Sequence, residues 1–228
     1  MSYDVIVLGG GPAGMSAALN VRARGRSALV VSNPLNENPL WQAEKVDNHL
    51  GMPGQSGAEM LQNLRRHAEG AGADFREGRV VSAMALDGTW YLSIGPEMET
   101  ARAVVLGYSA SAREEAEFLS SIGCSVTYFE KPRTCIIEGG AQVERVTVNG
   151  ETVACACVFL LRPAMAPTDL FPGLEVEGSF VKVDRKMSTN LPGLFAAGDC
   201  TGGPLQVSKA IGEGLVAGQS AAAYVSKK

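Results

Sequence analysis

Apolar residues in this chain recur with two periods, one suited to strands and one to helices. Val5–Leu8 is a continuous, mostly β-branched apolar run, as expected of a strand buried on both faces of a parallel sheet. A helix follows from Pro12 to about Arg24, stopped by Gly25, and a second strand runs from Ser27 to Val31. Ser56-Gly-Ala-Glu59 reads as a capping box that opens a helix with Leu61, Leu64 and Ala68 on one face, ending near Gly70. Three strand-like runs, Arg79–Leu86, Thr89–Ile94 and Thr100–Leu106, predict a β-meander with Asp87-Gly88 as its first turn. Ser109–Ile122 has helical spacing, with Ala112, Ala116 and Leu119 on one side, and Cys124–Phe129 reads as a strand. Thr134–Ile137, Val143–Val148 and Val153–Leu161 predict a second meander that turns at Asn149-Gly150. Short strands at Phe180–Val183 and Leu194–Ala197 precede a small-residue-rich final helix from about Gln206 to Tyr224. The pattern predicts an α/β fold, with a parallel sheet plus a β-meander.

Candidate chemistry enters with the glycines. Gly9, Gly11 and Gly14 fit G-x-G-x-x-G between a strand and a helix. The first permits a tight turn, the second lets the backbone approach a pyrophosphate, and the third lets helix and strand pack closely. Pro12 suits a first helical turn, and the free N–H groups and positive dipole end there suit phosphates. The acidic residue that usually holds a ribose hydroxyl is missing, since the second strand ends at Ser32-Asn33. NADP held by Arg22, Arg24 or Arg26 is therefore a rival reading. The segment Gly193-Leu-Phe-Ala-Ala-Gly-Asp199 argues against it, and the two segments together point to FAD.

Composition narrows the picture. A chain of 228 residues can bury one good core with a small second lobe. A net charge of -4 leaves no nucleic-acid footprint, and no apolar run is long enough to span a bilayer. The first residues enter a strand rather than a signal peptide, so the expected location is cytoplasmic. Five cysteines, an odd number without C-x-x-C, do not form a secreted framework, and His49 and His67 have no zinc spacing with them.

Four stretches, Val5-Ile-Val-Leu-Gly-Gly-Gly-Pro-Ala-Gly14, Val46-Asp-Asn-His-Leu-Gly51, Gly193-Leu-Phe-Ala-Ala-Gly-Asp-Cys200 and Leu205-Gln-Val-Ser-Lys-Ala-Ile-Gly-Glu-Gly214, carry a family likeness. The chain resembles the low-molecular-weight thioredoxin reductases, FAD-dependent oxidoreductases. The resemblance implies a Rossmann-like FAD-binding fold in which Gly9, Gly11, Pro12, Ala13, Gly14 and Gly198 approach the dinucleotide. It implies that Asp199 bonds the ribityl hydroxyls, that Asn48 lies beside the flavin ring, and that Gln206 and Val207 meet its pyrimidine end. It also suggests a homodimer.

The departures matter as much. Thioredoxin reductases insert a complete NADPH domain, whereas residues 109–162 are a shortened remnant between the FAD-binding parts 1–108 and 163–228. The loop Leu106–Ala112 has a single glycine, Glu130-Lys-Pro-Arg133 contains no arginine pair, and the usual redox C-x-x-C is absent. The expectation is an FAD-binding oxidoreductase that does not use NAD(P)H directly. Its partner is a redox protein such as a ferredoxin or a thioredoxin-like protein, or a small acceptor. Two alternatives stand beside it: a noncatalytic FAD-binding regulatory or sensor module, and a disulfide reductase using Cys155 and Cys157. Those two thiols share a face of a predicted strand, but at about 6.5 Å their Cα atoms approach the upper limit for a disulfide. They read more simply as buried small residues, as does Cys200. Trp41 reads as a cover for the flavin edge or as core, and His49 as a structural histidine.

Overall fold

The computed structural model describes residues 2–106, 120, 125–127, 129, 135–139, 143–155 and 166–226. The chain divides into two units, Met1–Ser109 with Met165–Lys228, and Ala110–Ala164.

Strand β1 (Ser2–Leu8) is the centre of the larger unit. Its side chains alternate between two buried layers: Val5 and Val7 enter one cluster, Ile6 and Leu8 the other. On one side it pairs in parallel with β2 (Ala28–Ser32), which pairs in parallel with β3 (Asp74–Glu77). On the other side it pairs in parallel with β6 (Glu97–Leu106). The first half of β6 belongs to an antiparallel meander with β5 (Thr89–Ile94) and β4 (Val80–Leu86). The last three residues of β6 pair in parallel with β12 (Leu194–Ala196). The ten residues of β6 thus join the meander to the dinucleotide-type sheet. Asp87 and Gly88 both take positive φ, 50° and 74°, the conformation that a two-residue hairpin turn requires.

Three helices cover the first buried layer: α1 (Pro12–Arg22), α2 (Gly57–Gly70) and α3 (Val207–Ser226). The second layer is closed by the meander and by Phe171, Leu174 and Val181, with the Trp90 and Phe171 rings edge-on at 5.4 Å. A one-turn helix (Pro167–Leu170) and the two-residue strands β10 (Val176–Glu177) and β11 (Phe180–Val181) lie along this second face. In the smaller unit, β7 (Cys135–Gly139), β8 (Val143–Val148) and β9 (Glu151–Ala154) form an antiparallel sheet, with Asn149 and Gly150 again at positive φ.

Several expectations shift. α1 stops at Arg22, because Arg24 and Gly25 already make tighter three-residue bonds, to Val21 and Arg22, before Gly25 turns left-handed. β3 was not foreseen: Asp74-Phe-Arg-Glu77 is polar because it lies at the sheet edge, with Arg65 stacked 4.9 Å over Phe75. β9 ends at Ala154 and Cys155 lies in no regular element, while residues 156–161 of the expected strand lie outside the described residues. Of the strand expected at Cys124–Phe129, residues 125–127 and 129 are described and lie in no regular element, and a strand needs a paired neighbour. Of the helix expected at Ser109–Ile122, only Ser120 is described, and it is helical. The loop Gly107–Ala112, residues 130–133 and Cys157 lie outside the described residues. Among the described residues no helix is long and apolar enough to cross a membrane.

Candidate cofactor site

The glycine loop meets α1 so closely that no side chain fits between them. Gly9 has φ 114° and donates its N–H to Val31 at 2.8 Å, which turns the chain off β1. A Cβ on Gly14 would fall 1.9 Å from the Gly9 carbonyl oxygen. Gly11 caps α1 without any side-chain bond, and the first turn carries no acid. The N–H groups of Ala13 and Gly14 therefore open on a space that no side chain of the cap fills, with Pro12 at the turn's first position. α2 shows the contrast: Ser56 and Glu59 close its start with a reciprocal capping box. An open, uncapped N-terminus next to a glycine turn fits a pyrophosphate.

Two further side chains border this loop. Ser32 ends β2 at the position where an acid usually holds a ribose hydroxyl, and a Cβ on Gly10 would meet its hydroxyl at 2.7 Å. Asn38 accepts from the Leu40 N–H at 3.0 Å, while its amide nitrogen lies 3.2 Å from where a Gly11 Cβ would be. The rival arginine site does not form around the loop. Arg22 and Arg26 sit at the far end of α1, bonded to the Ala71 and Arg26 carbonyls and to Ser226 respectively.

β12 delivers the second segment to the same place. Ala197 donates its N–H to Leu106 at 2.9 Å, and Gly198 follows at φ 89°. A Cβ on Gly198 would stand 2.8 Å from the Ala13 Cβ, so the two dinucleotide segments touch. Asp199 is partly buried and begins a single 3₁₀ turn, Asp199–Thr201. Cys200 is buried and directs its thiol at the Ala197 carbonyl.

α3 is brought in by small residues. A Cβ on Gly214 would lie 2.1 Å from the Ala13 oxygen, and one on Gly218 would lie 2.3 Å from the Ala17 oxygen. Both contacts step four residues along each helix, so α1 and α3 run in the same sense and open their N-terminal turns on the same side. At the start of α3, Asn48 donates to the Gln206 carboxamide at 2.5 Å, and His49 Nδ1 lies 3.0 Å from Ser208 Oγ. The structure thus gathers Gly9, Gly11, Pro12, Ala13, Gly14, Gly198 and Asp199 at one helix start. It gathers Asn48, Gln206 and Val207 at the other. Trp41 is half-buried against the first core layer.

Sequence reading missed Thr201, Ser208, Lys209 and Glu213, which tie the Asp199 turn and the Asn48 segment to α3. The only available signal was the Lys209–Glu213 spacing of four on a predicted helix. For the proposed thiol pair, Cys155 lies beyond the end of β9, its N–H bonded to Glu144 at 3.0 Å. Cys157, its expected partner, lies outside the described residues.

Comparison with known proteins agrees with this geometry. Residues 4–37 match a family model described as an FAD binding domain, and residues 132–214 match one described as pyridine nucleotide-disulphide oxidoreductase. A thioredoxin reductase of Treponema pallidum is 24% identical over 298 positions, covering 98% of this chain and 97% of the relative. One of Listeria monocytogenes is 23% identical, covering 99% and 94%. Among solved structures, a ferredoxin-flavin thioredoxin reductase from Clostridium acetobutylicum has TM-score 0.76 and 25% identity, covering 100% of this chain and 98% of that one. An atypical thioredoxin reductase from Desulfovibrio vulgaris Hildenborough shares the fold, with TM-score 0.74 at 22% identity. The Treponema alignment spans 298 positions against 228 residues here, so at least 70 positions of that relative have no counterpart although both ends match.

Proposed function

We propose that this chain, an FAD-dependent oxidoreductase of thioredoxin reductase type, exchanges electrons with a redox protein, a ferredoxin or a thioredoxin-like protein, or with a small acceptor, and takes no hydride from NADPH or NADH. The observation that carries this reading is the internal shortening: relatives match at both ends while tens of their positions find no partner. The shortening is read as falling in the nucleotide domain, with residues 1–108 and 163–228 forming the FAD-binding part and 109–162 the remnant. Leu106–Ala112 offers one glycine where a pyrophosphate cradle needs several. The likeness to a ferredoxin-flavin reductase supports a protein donor.

The chain's own residues have distinct tasks in this reading. Gly9, Gly11, Pro12, Ala13 and Gly14 receive the pyrophosphate on the uncapped start of α1. Gly198 keeps the backbone close, and Asp199 accepts from the ribityl hydroxyls. Asn48, Gln206 and Val207 border the pyrimidine end, where the start of α3 favours negative charge. FAD, when bound, supplies the electron-transfer chemistry. The same reading takes the protein as cytoplasmic and homodimeric. Mixing the FAD-loaded protein anaerobically with a chemically reduced low-potential ferredoxin is expected to bleach the flavin band within turnover time. Failure of every low-potential protein donor would favour a structural flavin, the noncatalytic alternative.

A further inference from the structure

The turn that carries Asp199 is gripped by two charged side chains of α3. Lys209 Nζ donates to the Gly198 carbonyl at 2.7 Å, to Thr201 Oγ at 3.1 Å and to the Gly202 carbonyl. Glu213 Oε2 accepts from the Gly198 N–H at 2.8 Å and from Thr201 Oγ at 2.6 Å. The two charges stand 3.2 Å apart with only 15% and 21% of their side chains exposed.

Helix energetics do not call for this pair. A lysine in the first turn opposes the helix dipole, and Lys before Glu at a spacing of four is the weaker order. Withdrawing two charges from water carries a desolvation cost that is offset only when further hydrogen bonds complete their shells. Those bonds come from the Gly198–Gly202 turn, which is fixed from the other side by the contact of Gly198 on Ala13. The pair therefore suits the turn rather than the helix.

We propose that Lys209 and Glu213 are positioning residues that clamp this turn so that Asp199 meets FAD, and that the Lys209 charge adds to the field at the start of α3. The inference rests on the reading that FAD lies along the starts of α1 and α3. Neither residue touches the reacting atoms in this account; both act through the turn and through charge.

Three variants test it: Lys209→Met, Glu213→Gln and Thr201→Val, the last two preserving shape. FAD affinity, titrated on apoprotein whose native fraction is fixed by its melting curve, should fall about tenfold or more in the two charge variants and less in Thr201→Val. The midpoint potential of bound FAD should drop in Lys209→Met and rise in Glu213→Gln, because the charges removed are opposite. Loosening alone would move both the same way or neither. If Lys209→Met does not fold, Glu213→Gln and Thr201→Val decide the matter. Affinity within about twofold of wild type, with an unchanged potential in those two, overturns the inference and leaves the site reading intact. Failure of the wild type to bind FAD overturns both.

Discussion

Gly14 shows how much one atom decides. Its missing Cβ is what lets α1 start against the Gly9 carbonyl. Gly14→Ala should push the helix off the loop, and we expect the variant to purify without flavin, checked by the absorbance ratio of flavin to protein. Asp199→Ala should weaken FAD binding by about 1.5–3 kcal/mol, the value of a hydrogen bond to a charged group, measured by fluorescence titration. Wild-type affinity would make Asp199 a bystander. Glu99 gives a test away from the cofactor. It is buried on β6, 2.7 Å from Arg76 of β3. Burial pushes its carboxyl up, but hydrogen bonding and the Arg76 charge hold it below the usual carboxylate range. A depressed carboxylate contributes stability above its unfolded-state value and loses it as pH falls through the folded one. Glu99→Gln should therefore cost about 1–3 kcal/mol at neutral pH, the same down to the ordinary glutamate range of about pH 4, and progressively less only below it, followed by thermal melting.

At the scale of elements, caps and crossings carry the site. α2 depends on its capping box, in which Ser56 backbone and side-chain bonds hold the Glu59 carboxyl below its ordinary range. Ser56→Ala should lower stability by about 0.5–2 kcal/mol in a denaturant melt. The crossing of α1 and α3 depends on Gly214 and Gly218, and Gly214→Ala should destabilise by about 1–3 kcal/mol by forcing the backbones apart. The elements were legible where their signals were local. The apolar run of β1, the Ser56–Glu59 box and the Asp87-Gly88 turn each state their own structure. β3 was not legible, because a polar edge strand of four residues looks like a loop until a neighbour pairs with it. The candidate site was legible in its glycines and in Asp199, whose motifs are contiguous. Lys209, Glu213 and the His49–Ser208 contact were not, because their partners in the Gly198–Gly202 turn and the Asn48 segment lie 7 to 159 residues away and only the fold brings them together.

The whole molecule is defined by what joins at β6 and at α3. One strand connects the meander to the parallel sheet, and one helix seats against α1 through two glycines while holding the Asp199 turn. The Treponema relative aligns with 98% of this chain, and the chain is shorter than that alignment by 70 positions. The central claim is that the flavin is reduced by a partner and not by a pyridine nucleotide. Hydride transfer needs the nicotinamide held against the flavin in a near-attack pose. Anaerobic stopped-flow mixing of the FAD-loaded protein with NADPH, and separately with NADH, tests the claim most directly. We predict no bleaching of the flavin band on the timescale of turnover at any nucleotide concentration. A bleaching rate that rises with nucleotide and saturates would contradict the account.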